Sequence, residues 1–247
     1  MALWKTVFHV HTDYSDDSDN AVTHLAAEAG RQGVDCLAVT DHDTLDGALA
    51  LAELAGEDLR VIVGEEISTR QGHLVGLFLT EPIPPDMEVR ATAEAIKDQG
   101  GLVIVPHPFN LLFDCGLRSV VGQILDLIDA VEVSNAQNLS PLPNMLAARF
   151  ARRHGLPGLV GVDSHHRNSL TACYQWMRPF DGPADFLAAV RDAQLVFGCH
   201  RPSYFARSGV VLARKWLRIG APSRYGRHCT VQRGHHRGRP VRASIHS

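Results

Sequence analysis

The sequence predicts an α/β fold in which repeated strand and helix units close into a barrel. Short apolar, β-rich runs that end in polar residues alternate with amphipathic stretches through the first 200 positions, the order of a parallel sheet with helices outside. No Gly-x-Gly-x-x-Gly or Walker loop follows the first strand, which disfavours an open nucleotide-binding sheet. Histidines and carboxylates stand at five strand ends, and in a β/α barrel those ends gather on one face.

The first strand, KTVFHVHT (5–12), alternates so that Val7, His9 and His11 share one face while Phe8 and Val10 share the other. An amphipathic stretch (21–33) leads to the strand CLAVTDHD (36–43). A second helix (45–58) precedes the strand RVIVGEEIS (60–68), and Arg70 lies on the connection to the strand HLVGLFL (73–79). Next come a helix over 87–100, the strand LVIVPHP (102–108), a helix over 120–128 and the strand AVEVSN (130–135). A helix over 141–155, the strand LVGVDSHH (159–166), a helix over 183–194 and a last strand LVFGC (195–199) complete the pattern. Beyond it, Phe205, Val210, Leu212, Ala213, Trp216 and Leu217 mark an amphipathic helix that would pack on the barrel. After Gly220 the chain is poor in apolar residues and rich in Arg, Gly and His, the composition of a disordered tail. The expected organisation is therefore a catalytic barrel over 1–200, a C-terminal helix over 201–220 and a basic tail over 221–247.

Composition is that of one ordinary globular domain, with 45% hydrophobic and 21% charged residues in 247. No apolar run approaches the roughly 20 residues of a membrane helix. The opening MALWKTVFHV lacks the apolar core of a signal peptide, so a cytoplasmic protein with no membrane contact is expected. Five cysteines without a C-x-x-C argue against a disulfide framework or a cysteine-built zinc site. The net charge of -3 conceals a split, because residues 1–200 hold all 27 acidic residues against 13 basic ones, and the remainder holds 11 basic and no acidic residues. An acidic body that handles anionic substrates needs clustered cations to invert its local field.

Those cations have ready ligands. His9 and His11 close the first strand, Asp41 and His42 the second, Glu65 and Glu66 the third, His107 the LVIVPHP strand, and Asp163 and His165 the LVGVDSHH strand. Imidazole with carboxylate suits Zn, Mn or Fe, whereas Mg or Ca would call for mainly oxygen ligands. So many donors exceed the needs of one ion. Two or three divalent transition-metal ions sharing a carboxylate, with a metal-activated hydroxide as nucleophile, match phosphoester hydrolysis.

The motifs HVHTDYSDD, TDHDT, GEEIS, VPHP and GVDSHH, in this order, resemble the PHP (polymerase and histidinol phosphatase) family over roughly residues 5–200. The resemblance implies a distorted (β/α)7 barrel with a trinuclear metal site of Mn, Zn or Fe at the carboxyl ends of the strands, and phosphoesterase activity. It implies one metal held by His9, His11, Glu66 and Asp163, a second by Glu66, His73 and His107, and a third by Asp16, His42 and His165. Where the family has S-D-G, this chain reads Ser15-Asp16-Asp17-Ser18; the spacing selects Asp16, with Asp17 as the alternative. The G-x-E pattern selects Glu66 over Glu65. Asp41, His42 and Asp163 are assigned to catalysis, with Asp41 and Asp43 beside His42 able to orient it.

Polar residues past the strand ends are candidates for binding substrate: Asn110, Asn135, and Arg70 and Arg167 as bidentate phosphate donors. The function expected is hydrolysis of a small phosphorylated metabolite or nucleotide. The alternatives are an exonuclease acting on short RNA or DNA ends, which would use the basic tail, and a non-catalytic metal-binding module.

Overall fold

Seven runs rich in Val, Ile and Leu form a closed barrel in the computed structural model, which describes residues 2–57, 59–110, 116–117 and 120–217, with side chains as far as Gly209. They are β1 (Trp4–Val10), β2 (Cys36–His42), β3 (Arg60–Thr69), β4 (Gly72–Leu77), β5 (Leu102–Val105), β6 (Ala130–Asn135) and β7 (Gly158–Ser164). Neighbours pair in chain order, and β1 pairs with both β2 and β7, which closes the ring. Two short strands, β8 (Tyr174–Met177) and β9 (Gln194–Val196), extend antiparallel from the first residues of β1. Around the barrel run α1 (Val22–Gln32), α2 (Asp46–Ala55), α3 (Val89–Asp98), α4 (Pro141–His154) and α5 (Gly182–Arg191), followed by α6 (Pro202–Leu217). Helices α1 and α4 stop at Gly33 and Gly155, whose left-handed φ of 61° and 66° a side chain would resist.

The strand faces sort into lumen and exterior. Phe8, Ala38, Ile62, Ile104, Ala130 and Leu159 come from six strands and share one buried cluster with Phe180 and with Phe186 of α5. Val7, Val10, Leu37 and Val39 belong instead to a cluster with Leu25 of α1 and Leu51 of α2. Each large apolar side chain buried in this way contributes about 1.5–3 kcal/mol. Further along the same lumen-facing rows the chemistry changes to His42, Glu66, Glu132 and Asp163, so the apolar half of the barrel is the floor on which a polar half stands.

The structure differs from the sequence expectations at four places. First, β4 runs antiparallel to both β3 and β5, because Arg70 and Gln71 alone connect it to β3 and a parallel crossover needs far more chain. Second, β1 does not alternate simply. Its register shifts between Val7 and Val10 against β2, and His9 has a φ of 67°, so a bulge turns His9 toward the lumen that Phe8 also enters. Third, the helix expected over 120–128 is a four-residue 3-10 turn, Val121–Ile124, whose end residues are buried three apart as that geometry suits. Fourth, β8 is too short and mixed to show a period, and Trp176, in β8, makes an edge contact with Tyr174. The segment 221–247 lies outside the described residues. No helix among the described residues is long and apolar enough to cross a membrane, and the thiols of Cys36, Cys173 and Cys199 are free.

Three glycines test this packing. A Cβ on Gly161 of β7 would lie 1.2 Å from Glu132 Oε1, and one on Gly47 of α2 would lie 2.1 Å from Asp41 Oδ2. Gly161→Ala and Gly47→Ala are each expected to destabilise by roughly 1–3 kcal/mol in urea unfolding. Gly30→Ala, in open space on α1, should stabilise by about 0.5–1 kcal/mol. Neutral behaviour of Gly161→Ala would contradict the placement of Glu132 inside the barrel.

Candidate metal centre

Ladder register brings the polar groups together. Glu66 stands opposite His42 in the β2–β3 pairing and opposite Val75 in the β3–β4 pairing, so alternation on β4 puts His73 on the same face as Glu66. The Glu66 carboxylate is the hub. Its Oε2 lies 3.0 Å from His9 Nε2 and 3.2 Å from His11 Nε2, while Oε1 lies 2.8 Å from His73 Nδ1 and 3.0 Å from His107 Nε2. His42 Nδ1 approaches Oε2 at 3.7 Å. Asp163 Oδ1 sits 3.7 Å from His9 Nε2, 3.6 Å from His11 Nε2 and 3.3 Å from His165 Nδ1.

Among the described residues, four overlapping sets of three or more donor atoms result, each compact enough for one cation. They are His9, His11 and Glu66; His9, His107 and Asp163; His42, Glu66 and His73; and His11, Asp17, His42 and His165. The last set contains Asp17. Its Oδ2 lies 3.4 Å from His42 Nε2 and 3.3 Å from His165 Nε2, while Asp16 belongs to none of the sets. The loop after β1 turns within hydrogen-bonded bends, Ser15 N to Thr12 O and Ser18 N to Ser15 O, so the regular spacing that selects Asp16 does not apply there.

Charge and burial are consistent with a cation site. Burial alone would raise the Glu66 carboxyl, but the imidazoles of His9, His42 and His73 hold it well below the usual carboxylate range. Asp17, against His165 and His42, and Asp163, against His9 and His165, are held low in spite of burial for the same reason. Burial opposes a proton on His42, yet Asp17 and Glu66 push it up to about 10. Burial, with His165 beside it, pushes His11 down to about 3. His11 Nε2 is buried between two carboxylates without a hydrogen bond of good geometry, as a nitrogen aimed at a cation would be. Mixed nitrogen and oxygen donors in this number fit Zn, Mn or Fe.

Backbone strain concentrates here. His9, His107 and Asp163 all have positive φ, at 67°, 26° and 50°, each costing about 1–3 kcal/mol, and the three form one of the donor sets.

Around the donors lies a layer of orienting groups. Glu132, fully buried in β6, accepts from His9 Nδ1 at 3.2 Å and from the His107 backbone N–H at 2.6 Å. Sequence reasoning missed it, although its place in AVEVSN gives the same signal that marks Glu66, a carboxylate among apolar strand residues. Asn135, expected as a substrate contact, is 2% exposed and its Nδ2 donates to Asp163 Oδ2 at 2.9 Å. Asp41, expected to take part in catalysis, is fully buried. Its Oδ1 accepts from Thr12 N and Ser15 Oγ and its Oδ2 from Thr12 Oγ1, at 2.6–2.7 Å, so it clamps the loop that carries Asp17. Asp43 Oδ1 accepts from Ser68 N at 2.7 Å. Gln137 Nε2 donates to the Asp163 carbonyl, and the Tyr204 hydroxyl, which donates to that same carbonyl, accepts from the His165 N–H; neither residue was foreseen.

The other expected sites fall elsewhere. Glu65 faces away from the donors, accepts from Ile83 N at 2.9 Å, and is pushed up to about 8 by burial. Arg70 is exposed and paired with Glu88 at 3.1 Å. Asn110 is half-buried beside the centre, its N–H donating to the His107 carbonyl at 3.0 Å. Arg167 is exposed and lines a separate cavity.

Comparison with known proteins bears on the family and the fold. The PHP domain family matches residues 8–135, and the PHP-associated family matches residues 141–195. An uncharacterized protein of Methanocaldococcus jannaschii is 35% identical over 155 residues, covering 58% of this chain and 88% of its own length. A phosphoribosyl 1,2-cyclic phosphate 1,2-diphosphodiesterase of Eggerthella lenta is 39% identical over 148 residues, 57% of this chain, which spans about half (52%) of that relative. Among solved structures, a two-domain protein of Bacteroides vulgatus containing a PHP-like metal-dependent phosphoesterase aligns with a TM-score of 0.65 at 17% identity, over 85% of this chain and 70% of that one. The lesion-specific endonuclease of Pyrococcus furiosus aligns with a TM-score of 0.61 at 16% identity, over 78% and 57%. These two show a shared fold. With its closed seven-stranded barrel and a PHP domain match over half its length, the chain belongs to the PHP domain family.

Proposed function

We propose that this chain is a metal-dependent phosphoesterase that hydrolyses a small phosphorylated metabolite or nucleotide at the centre around Glu66. The carrying observation is one buried carboxylate flanked on both oxygens by imidazoles. In this reading His9, His11, Glu66 and Asp163 hold one ion, Glu66, His73 and His107 a second, and His42, His165 and Asp17 a third. Bound there, Mn, Zn or Fe would supply Lewis acidity and water activated at neutral pH. The chain's own groups do the rest. Glu66 joins two ligand sets, Glu132 and Asn135 fix His9 and Asp163 in orientation, and Asp41 holds the loop that delivers Asp17. Burial opposes a proton on His42 and His165, yet Asp17 helps raise His42 to about 10 and raises His165, so a cation would compete with protons for both imidazoles. Asn110 at the rim is the remaining substrate-binding candidate from the sequence. A cytoplasmic location suits the free thiols.

The second reading is an exonuclease acting on short RNA or DNA ends, kept in view because a lesion-specific endonuclease shares the fold. The two readings separate on a panel of nucleoside monophosphates, bisphosphates, sugar phosphates and short oligonucleotides. Small phosphoesters should turn over with little dependence on moderate salt. Preferred oligonucleotide cleavage, weakening by roughly 0.7 log units in affinity per contacted phosphate for each log unit of salt, would establish the nuclease instead.

Adjacent glutamates give the sharper test. Glu66→Gln keeps the shape and removes the charge, and is expected to lose bound metal and roughly a hundredfold or more in hydrolysis while the fold survives. Glu65→Gln replaces a carboxyl that burial already keeps protonated near neutral pH, so metal content and activity should stay close to wild type. Metal analysis and phosphatase assay on both variants check this; a reversal would move the hub to Glu65.

A further inference from the structure

Arg167 and the start of α6 border a cavity of about 550 Å³ that none of the proposed metal ligands lines. Its walls come from Gln32 of α1, the segment after β7 and residues 199–207, and they include Arg167, Arg201 and Arg207 but no carboxylate. Arg207 is engaged by Asp19 at 2.7 Å, and Asp19 also pairs with His166 at 3.3 Å. No described carboxylate pairs with Arg167 or Arg201, both of which are exposed. Ser203, in the first turn of the 16-residue helix α6, adds the positive end of that helix to the same wall.

Two exposed guanidinium forks with which no described carboxylate pairs, beside a helix N-terminus, favour an anion with several oxygens in fixed geometry. The volume is that of a small-molecule site and leaves room for an organic portion against Ala172 and Tyr204. We propose that this cavity is a second binding site, separate from the metal centre, for the phosphate group of a small phosphorylated molecule. Tyr204 ties it to the centre. It lines the cavity, and its hydroxyl accepts from His165 N–H at 3.2 Å and donates to the Asp163 carbonyl at 2.9 Å. An occupant touching Tyr204 therefore touches the framework that positions Asp163 and His165.

Calorimetric titration of the full-length, metal-loaded chain with sulfate, an unhydrolysed phosphate mimic, tests the proposal. Sulfate should bind wild type, and the double variant Arg167→Gln/Arg201→Gln should bind it roughly tenfold or more weakly, as expected for losing two charged donors. The melting temperature without sulfate should not move, since both side chains are exposed. Binding should persist in Glu66→Gln and in chelator-stripped wild type, and adenosine 5′-monophosphate should displace the sulfate from Glu66→Gln. Equal affinity in the double variant overturns the site. Binding that vanishes with Glu66→Gln or with chelator places the anion at the metal centre and also overturns it, and failure of the nucleotide to compete removes the phosphorylated-molecule assignment.

Discussion

Glu66 carries an ionised carboxylate with 1% of the residue exposed, and an isolated charge in such a place would cost several kcal/mol or more. Four imidazoles surround it, His9 and His11 on one oxygen and His73 and His107 on the other, and the charge is offset by His9, His42 and His73 together with a hydrogen bond from His107. Those four come from three separate stretches of chain, and only a closed ring of strands brings them to one point. Closure of the barrel and compensation of Glu66 are thus linked, because the ring brings together the imidazoles that surround the carboxylate. Although burial opposes a proton on His42 and His165, the carboxylates facing them raise both, and the two imidazoles in turn lower Asp17.

The ring meets that constraint by departing from ideal strand geometry. A bulge at His9 lets Phe8 fill the apolar floor while His9 itself reaches the polar half, something strict alternation forbids. Positive φ at His107 and Asp163 turns those side chains at the strand ends, and the surrounding packing over-determines the strain. Room for the orienting layer comes from missing side chains: Gly161 leaves space for Glu132, and Gly47 leaves space for the clamp between Asp41 and Thr12. A helix, α2, therefore packs closely against the loop that carries Asp17, and the loop's shape depends on it.

Much of this was legible in the sequence, for reasons that differ by residue. The barrel class was readable because apolar strand runs and amphipathic helices have distinct periods. His9, His11, His42, Glu66, His107, Asp163 and His165 were readable because polar residues closing apolar runs stand out. Glu132 offered the same signal and was passed over. Asp17 was not decidable from spacing, since loop backbone follows hydrogen bonds such as Ser15 N to Thr12 O rather than a period. The antiparallel direction of β4 was hidden because a strand pattern has no sense of direction, and only the two-residue turn reveals it. For Arg70 and Arg167, residue type indicated phosphate chemistry while the fold sent one to Glu88 and the other to a separate cavity. Asn135 and Asp41 were named as substrate-binding and catalytic candidates, and the structure shows them hydrogen-bonded to Asp163 and to Thr12 and Ser15.

Metal content per chain tests the central claim most directly, because a hub carboxylate shared between ligand sets has little reason to exist around a single ion. Elemental analysis of the full chain after mild purification, or after reloading with Mn, Zn or Fe, should give two to three transition-metal ions per chain. A content near zero that none of these metals restores would contradict the account, and a content that saturates at one would remove the bridging role of Glu66.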